Sequence, residues 1–391
     1  MPTLLDQANI HRDWLVKTRR ELHQKPELSL KEKATAARCA DELEKLGLKV
    51  KRNLWGEGFI ADLDVKGAKG RIALRADMDA LPIQELNEID FRSQNAGVAH
   101  MCGHDTHMTC AMGAAKLLVA AKEKLKRNVR FIFQPSEETP PGGALGLIEK
   151  GALDGVDEVY GLHNNPQMEV GTVATRVGAL TAAADSFKIT LTGKGGHASR
   201  PHDTLDPIPG ACALVTQLQT LVARRVAPGT PAVVSVTQIT GGTTHNIIPD
   251  SVFMQGTVRT FDEATRKLLE DGMWAMSDAI AKGHGLKCRF AFERGYDSIV
   301  NHAAGVERVV AAAAKVVGEK NVSEHPAMTW GEDFAYYLQK KPGAFFFLGS
   351  GNKKKGITEP LHSPRMMVDE DCMPIGAAIM AQLALGTVPG A

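Results

Sequence analysis

The sequence predicts an α/β fold interrupted by a smaller α+β unit, and three observations carry that prediction. At 391 residues the chain exceeds the length at which one hydrophobic core keeps growing, so two domains are expected. Helical and strand periodicities alternate up to residue 184 and again from residue 296, the rhythm of a sheet covered by helices. Between them the order becomes β-α-β-β-α-β, which closes on itself as a ferredoxin-like sandwich. The expected division is therefore 1–184 with 296–391 as one discontinuous domain, and 185–295 as the inserted one.

Taken in order, Asn9 to Gln24 and Lys31 to Gly47 carry apolar residues at helical spacing, and Leu48 to Trp55 and Phe59 to Val65 turn strand-like. RIALRAD (71–77), NVRFIF (128–133) and EVYGLH (158–163) read as strands, with a helix from Thr106 to Lys124 between the first two. In the inserted domain SFKITLTG (186–193) is a strand, Asp206 to Arg225 a helix, and AVVSVTQITGG (232–242) and SVFMQGTVRTF (251–261) two strands. Glu263 to Gly283 follows as a helix and LKCRFAFE (286–293) as the last strand. The remainder supplies a helix at His302 to Val317, a strand at AFFFLG (344–349) and a helix at Pro374 to Leu385. Trp330 to Asp333 resembles a helix start and receives no catalytic role.

Composition narrows the function. Apolar residues at 43% and charged residues at 23% are ordinary for a globular protein, which excludes a disordered chain. Lys plus Arg (46) nearly cancel Asp plus Glu (45), so no electrostatic footprint for nucleic acid or an anionic membrane is expected, and the partner is a small molecule. MPTLLDQANIHRDW has no basic stretch followed by an apolar one, and no apolar run is long enough to span a bilayer; the expected location is the cytoplasm. Cysteines 39, 102, 110, 212, 288 and 372 are scattered rather than spaced as a disulfide framework or as Cys-x-x-Cys, which argues against a thiol redox protein.

Side chains at the carboxyl ends of strands in open α/β sheets converge on a crevice, and this chain places its donors there. RIAL runs into Asp77 and Asp79, RFIF into Glu137 and Glu138, VYGL into His163, and FFFLGSG precedes the loop of His362. HMCGHDTH (100–107) adds Cys102 and His104 around a glycine, just before a helix; His100 and His107 face solvent or cap that helix. Neighbouring carboxylates on an extended segment point opposite ways, so one of Glu137 and Glu138 can ligate a cation while the other stays free as a base. Cys, His and carboxylate together suit divalent transition metals, and a thiolate disfavours Mg²⁺ and Ca²⁺. Cys102, His104, Glu138, His163 and His362 would supply five ligands, as two adjacent cations require. Singly, each reads as well as a solvated or buried polar residue; closed structural zinc sites, however, favour tightly spaced cysteine pairs, and these donors are far apart.

RRELHQKPELS (19–29), LRADMDALPI (74–83), HMCGHDTH, FQPSEE (133–138), GLHNNP (161–166), GKGGHAS (193–199), GGTTHNIIPD (241–250), GTVRTF (256–261), TWGEDFAYYL (329–338) and LHSP (361–364) together resemble the M20 family of metallopeptidases and amidohydrolases. The branch is that of N-acyl-amino-acid amidohydrolases, hippurate hydrolases and auxin-conjugate hydrolases. The resemblance implies a mixed-sheet, zinc-peptidase-like (phosphorylase/hydrolase-like) catalytic domain holding two divalent ions (Zn, Mn, Co or Ni) on Cys102, His104, Glu138, His163 and His362, with Glu137 as general base. It also implies that 185–295 is a lid that forms a homodimer or dimer of dimers and offers His197, Asn246 and Arg259 to the substrate. Many relatives in the wider family carry His-x-Asp where this chain has Asp77-Met78-Asp79; here Cys102 and His104 replace those donors, and the aspartates become partners that orient a ligand. The implied reaction is hydrolysis of N-acyl-amino acids, with a carboxypeptidase or dipeptidase, or an inactive metal-binding relative, as alternatives.

Overall fold

A computed structural model describes residues 2–386. The chain forms two units: one comprises the chain up to Leu180, Ile299–Pro326 and the chain from Asp333 onward, the other Thr181–Ser298 with Ala327–Glu332. The second unit thus begins and ends a few residues outside the expected 185–295 and gains a short distant segment. The gain has a local cause: Ala182 N donates to Met328 O at 2.9 Å and Thr181 bridges Met328.

The first unit is built on an eight-stranded mixed sheet. Its neighbours run Lys49–Trp55, Gly58–Leu63, Asn128–Gln134, Arg71–Asp77, Glu158–Glu169, Gly343–Gly351, Val173–Thr175 and Val322–Glu324. The central pairs, Arg71–Asp77 with both Asn128–Gln134 and Glu158–Glu169 and the latter with Gly343–Gly351, are parallel. Strands covered on both faces read as continuous apolar runs, and IAL, FIF and AFFFL are buried throughout. The three-residue strands at 173 and 322 are too short to show a periodicity in sequence.

Local chemistry moves several expected boundaries. The helix expected over Asn9–Gln24 is two helices, Leu4–Ile10 and Arg12–Gln24, separated at His11; Thr3 and Asp6 form a capping box that starts the first one upstream. The helix expected from Thr106 begins at His104 and ends at Ala120, with a separate 3₁₀ turn at Lys122–Lys124. Trp330–Asp333 is irregular, and the next helix starts at Ala335. Asp333 does not cap it, because its carboxylate accepts hydrogen bonds from Arg75, Gln134 and the Ala144 amide.

Helix His104–Ala120 lies in close contact with Arg12–Gln24 and Cys372–Leu385, where small residues allow close approach. A Cβ on Gly113 would meet Leu15 Cδ2 at 2.8 Å and Ala377 Cβ at 2.9 Å. The second unit has a core of its own under a four-stranded antiparallel sheet, in the order Ala232–Thr240, Ser251–Thr260, Ala183–Thr192, Lys287–Glu293. Helices Pro207–Arg225 and Glu263–Gly283 contribute to that core and start at the caps Asp206 and Asp262.

Gly113→Val would overpack the three-helix contact at an atom, Ala377 Cβ, that cannot rotate away. The expected cost is about 1–3 kcal/mol, read as a lower Tm; an unchanged Tm would show that the helices separate freely.

Candidate metal centre

The donors singled out in the sequence meet within the first unit. Cys102 and His104 flank Gly103, whose φ of +93° precedes the helix. A Cβ at Gly103 would come within 2.2 Å of Asn164 Oδ1, so glycine alone satisfies both the backbone and the space. Glu137 and Glu138 follow Ser136, and His362 lies on a loop with its amide bonded to Met101 O at 2.8 Å; Ser136 and His362 both adopt positive φ, 56° and 64°. Non-glycine residues in that region cluster at functional sites. His163 sits inside its strand rather than at its end, because that strand runs on to Glu169.

Donor atoms of Cys102, His104 and His163 lie within 4.8 Å of one another, as do those of Cys102, Glu138 and His362, and those of His104, Glu137 and Glu138. Cys102 Sγ is 3.3 Å from His163 Nε2, and Glu138 Oε1 is 3.4 Å from His362 Nε2 and 3.8 Å from His104 Nε2. The ring orientations suit ligation. His104 Nδ1 donates to the Asp79 carbonyl at 2.8 Å and His163 Nδ1 to the Asn164 carbonyl at 2.7 Å, which leaves each Nε2 its lone pair.

The residues fit cations. Among the described residues His104 Nε2 and Glu138 Oε1 are buried with no hydrogen-bond partner, which is costly unless something else meets them. A soft thiolate, three imidazoles and a carboxylate form a set for divalent transition metals. Asp77 lies in a further donor group with His104 and His107, and its oxygens are met by Arg75 Nη1 and His107 Nδ1, each at 2.6 Å.

Burial acts on Cys102, His104 and His163. It pushes the Cys102 thiol well up, helped by Glu138 and Glu137, and the His163 imidazole well down. Burial also opposes the His104 imidazolium, but Asp77 and Asp79 overcome it and raise the group to about 10. His100 and His107 do not face solvent as expected, and both are buried; burial drives His100 down to about 3, while His107 bridges Asp77 and Asn164.

The three remaining candidates belong to the second unit. His197 and Asn246 are neighbours across a two-stranded ladder, with Ala198 N donating to Asn246 O at 3.1 Å. His197 is exposed, and its Nδ1 accepts from the Ser199 amide, which puts the neutral ring's proton on Nε2 as a free donor. Arg259 pairs in register with Ala184, at the opposite end of its strand from Ser251. Eight residues at roughly 3.3 Å each separate the two ends by about 26 Å. Its guanidinium is half-buried and donates to carbonyls of Thr329, Asp185 and Val258, with no carboxylate in ion-pair contact among the described residues. Sequence reasoning passed over the residues that hold these in place, notably Asn164, Arg75, Gln134 and Asp333; the HNNP and WGEDF motifs contain two of them.

Residues 73–386 match the Peptidase family M20/M25/M40. Thermostable carboxypeptidase 2 of Saccharolobus solfataricus is 41% identical over 377 residues, covering 95% of each chain. N-acetyl-L-cysteine deacetylase of Bacillus subtilis is also 41% identical, over 358 residues, covering 91% of this chain and 84% of its own. Among solved structures, the Bacillus subtilis YXEP protein, described as a dinuclear metal binding peptidase from the M20 family, superposes with a TM-score of 0.85 at 34% identity, covering 96% of this chain and 98% of its own.

With Cys102 and His104 both protonated near neutrality in the metal-free chain, a cation must displace both protons. The affinity of metal-free protein for Mn²⁺ is expected to rise with pH, with a slope of log K against pH of about 2 between about pH 6 and 8. A flat profile would remove these two groups from the ligand set.

Proposed function

The chain belongs to the M20/M25/M40 peptidase family and is a hydrolase acting on amide bonds; on that premise we propose that it cleaves N-acyl-L-amino acids to a carboxylic acid and a free amino acid. The observation that carries the reading is the placement of two adjacent carboxylates at the donor cluster. Glu138 Oε1 lies in the donor cluster with nothing else to bond, while Glu137, its amide fixed 3.0 Å from Asp79, keeps a carboxylate oxygen 4.0 Å from His104 Nε2. A purely structural metal has no use for that second acid, which disfavours an inactive relative.

Cys102, His104, Glu138, His163 and His362 would hold two divalent ions, Zn, Mn, Co or Ni. Bound there, the ions supply Lewis acidity to water and to the scissile carbonyl. Glu137 takes the proton of the attacking water and returns it to the leaving amine. His197, through Nε2–H, stabilises the developing oxyanion, and Arg259 grips the free carboxylate by its fork, with Asn246 adding an amide contact. His197 and Asn246 belong to a two-stranded ladder separate from the four-stranded sheet of Arg259, and the chain runs from that ladder into Ser251, the end of the strand opposite Arg259. The homodimer implied by the resemblance would complete the set from its second copy. The carboxypeptidase reading shares every step, and a carboxypeptidase is as similar as the deacetylase; only the acyl side differs.

Glu137→Ala should lower kcat on N-acetyl- and N-benzoyl-amino acids by about 10²–10⁴ while metal content stays at the wild-type level. Substantial residual activity would remove Glu137 as the base. Cys102→Ala should lose bound metal by elemental analysis. Arg259→Ala should narrow the preference for free acids over their amides by about 10–100-fold in kcat/KM, the scale of a charged hydrogen bond. Comparing N-acyl-amino acids with dipeptides in the same assay separates the two readings of the acyl side.

A further inference from the structure

The segment Glu27–Glu32 lies far from the catalytic residues in sequence and touches their supports at three points. Ala80 N donates to Glu27 O at 2.8 Å, Ser29 Oγ donates to Asp79 Oδ2 at 2.7 Å, and Ser136 N donates to Glu32 Oε1 at 2.8 Å. The last contact falls on the residue with φ of 56° that directly precedes Glu137 and Glu138. Asp79 in turn accepts the amides of both glutamates, at 3.0 and 2.9 Å.

The placement of Glu32 is informative. It occupies the N-cap of helix Lys33–Lys45, yet its side chain makes no capping bond there. Glu27 does that work, accepting from the amides of Ala34 and Thr35 at 3.2 and 2.8 Å. Glu32 is thereby free to turn inward, where it is fully buried, and burial pushes its carboxyl up to about 7. Leu30 at φ 62° and the Lys31 amide bonded to Leu28 O at 2.9 Å shape the turn that delivers both Ser29 and Glu32.

We propose that Glu32 and Ser29 are positioning residues for the hydrolysis: Glu32 holds the Ser136 peptide in its left-handed conformation and Ser29 holds Asp79, so that Glu137 faces the reacting water while Glu138 stays a ligand. This rests on the roles given above to Glu137 and Glu138. One accepted N–H is all that Glu32 supplies to Ser136, and an amide oxygen at the same place supplies it equally.

The test measures kcat and KM at saturating Mn²⁺, and separately the Mn²⁺ affinity of metal-free protein, for Glu32→Ala, Glu32→Gln, Ser29→Ala and Glu137→Ala. Glu32→Ala should lower kcat by about 10–100-fold with KM within about threefold, and should weaken Mn²⁺ binding by about tenfold or more. Glu32→Gln should restore both. Wild-type kcat and Mn²⁺ affinity in Glu32→Ala, a change in KM alone, or a Glu32→Gln as defective as Glu32→Ala would each overturn the proposal. Should Glu32→Ala fail to fold, Ser29→Ala decides: a kcat loss of about tenfold supports positioning, and no change refutes it. An active Glu137→Ala overturns the base assignment itself, whereas an inactive Glu137→Ala beside a fully active Glu32→Ala overturns only the positioning role.

Discussion

One buried carboxylate, that of Asp79, ties the parts of the candidate site together. It accepts the backbone amides of Glu137 and Glu138 and the hydroxyl of Ser29, while its own carbonyl accepts from His104 Nδ1. Burial alone would favour the protonated acid, yet hydrogen bonding and the charge on His104 hold its pKa below the usual value. Asp79 therefore orients the His104 ring through its backbone carbonyl and the Glu137 and Glu138 peptides through its carboxylate.

Several buried charges in the same unit are paired. Arg75 is buried inside the sheet and is met by Asp77, Gln134 and Asp333. Behind the start of helix His104–Ala120, Asp105 is met by Arg19 at 2.7 Å and by His23 at 2.8 Å, and His23 also faces Glu85. Buried ions of this kind contribute little net stability against well-packed apolar residues, but removing one partner strands the other.

The relatives bear different substrate names. Water activation, proton transfer and carbonyl polarisation are indifferent to whether the acyl group is acetyl, benzoyl or another amino acid. Substrate choice belongs to side chains outside the donor cluster, and family membership alone does not assign them.

Much of the fold was legible because it depends on periodicity. Continuous apolar runs marked the strands of the parallel centre, and alternation marked SVFMQGTVRT, whose side chains are alternately buried and partly exposed. Two three-residue strands and the break at His11 were not legible, since neither spans enough residues for a period to develop. For the site, residue type disclosed the donors: Cys102 and His104 around a glycine, paired glutamates, and histidines near strand ends. Residue type was silent on His107, which pattern left to face solvent or cap the helix and the fold buries between Asp77 and Asn164, because burial depends on neighbours from other strands. The sequence by itself determined which chemistry is available, because ligand softness and acidity are properties of single side chains. Only the tertiary structure decided that the two adjacent glutamates lie among the other donors and which segment braces them, because those are distances between residues separated by more than two hundred positions, as Glu138 and His362 are, set by how the chain packs rather than by what it contains.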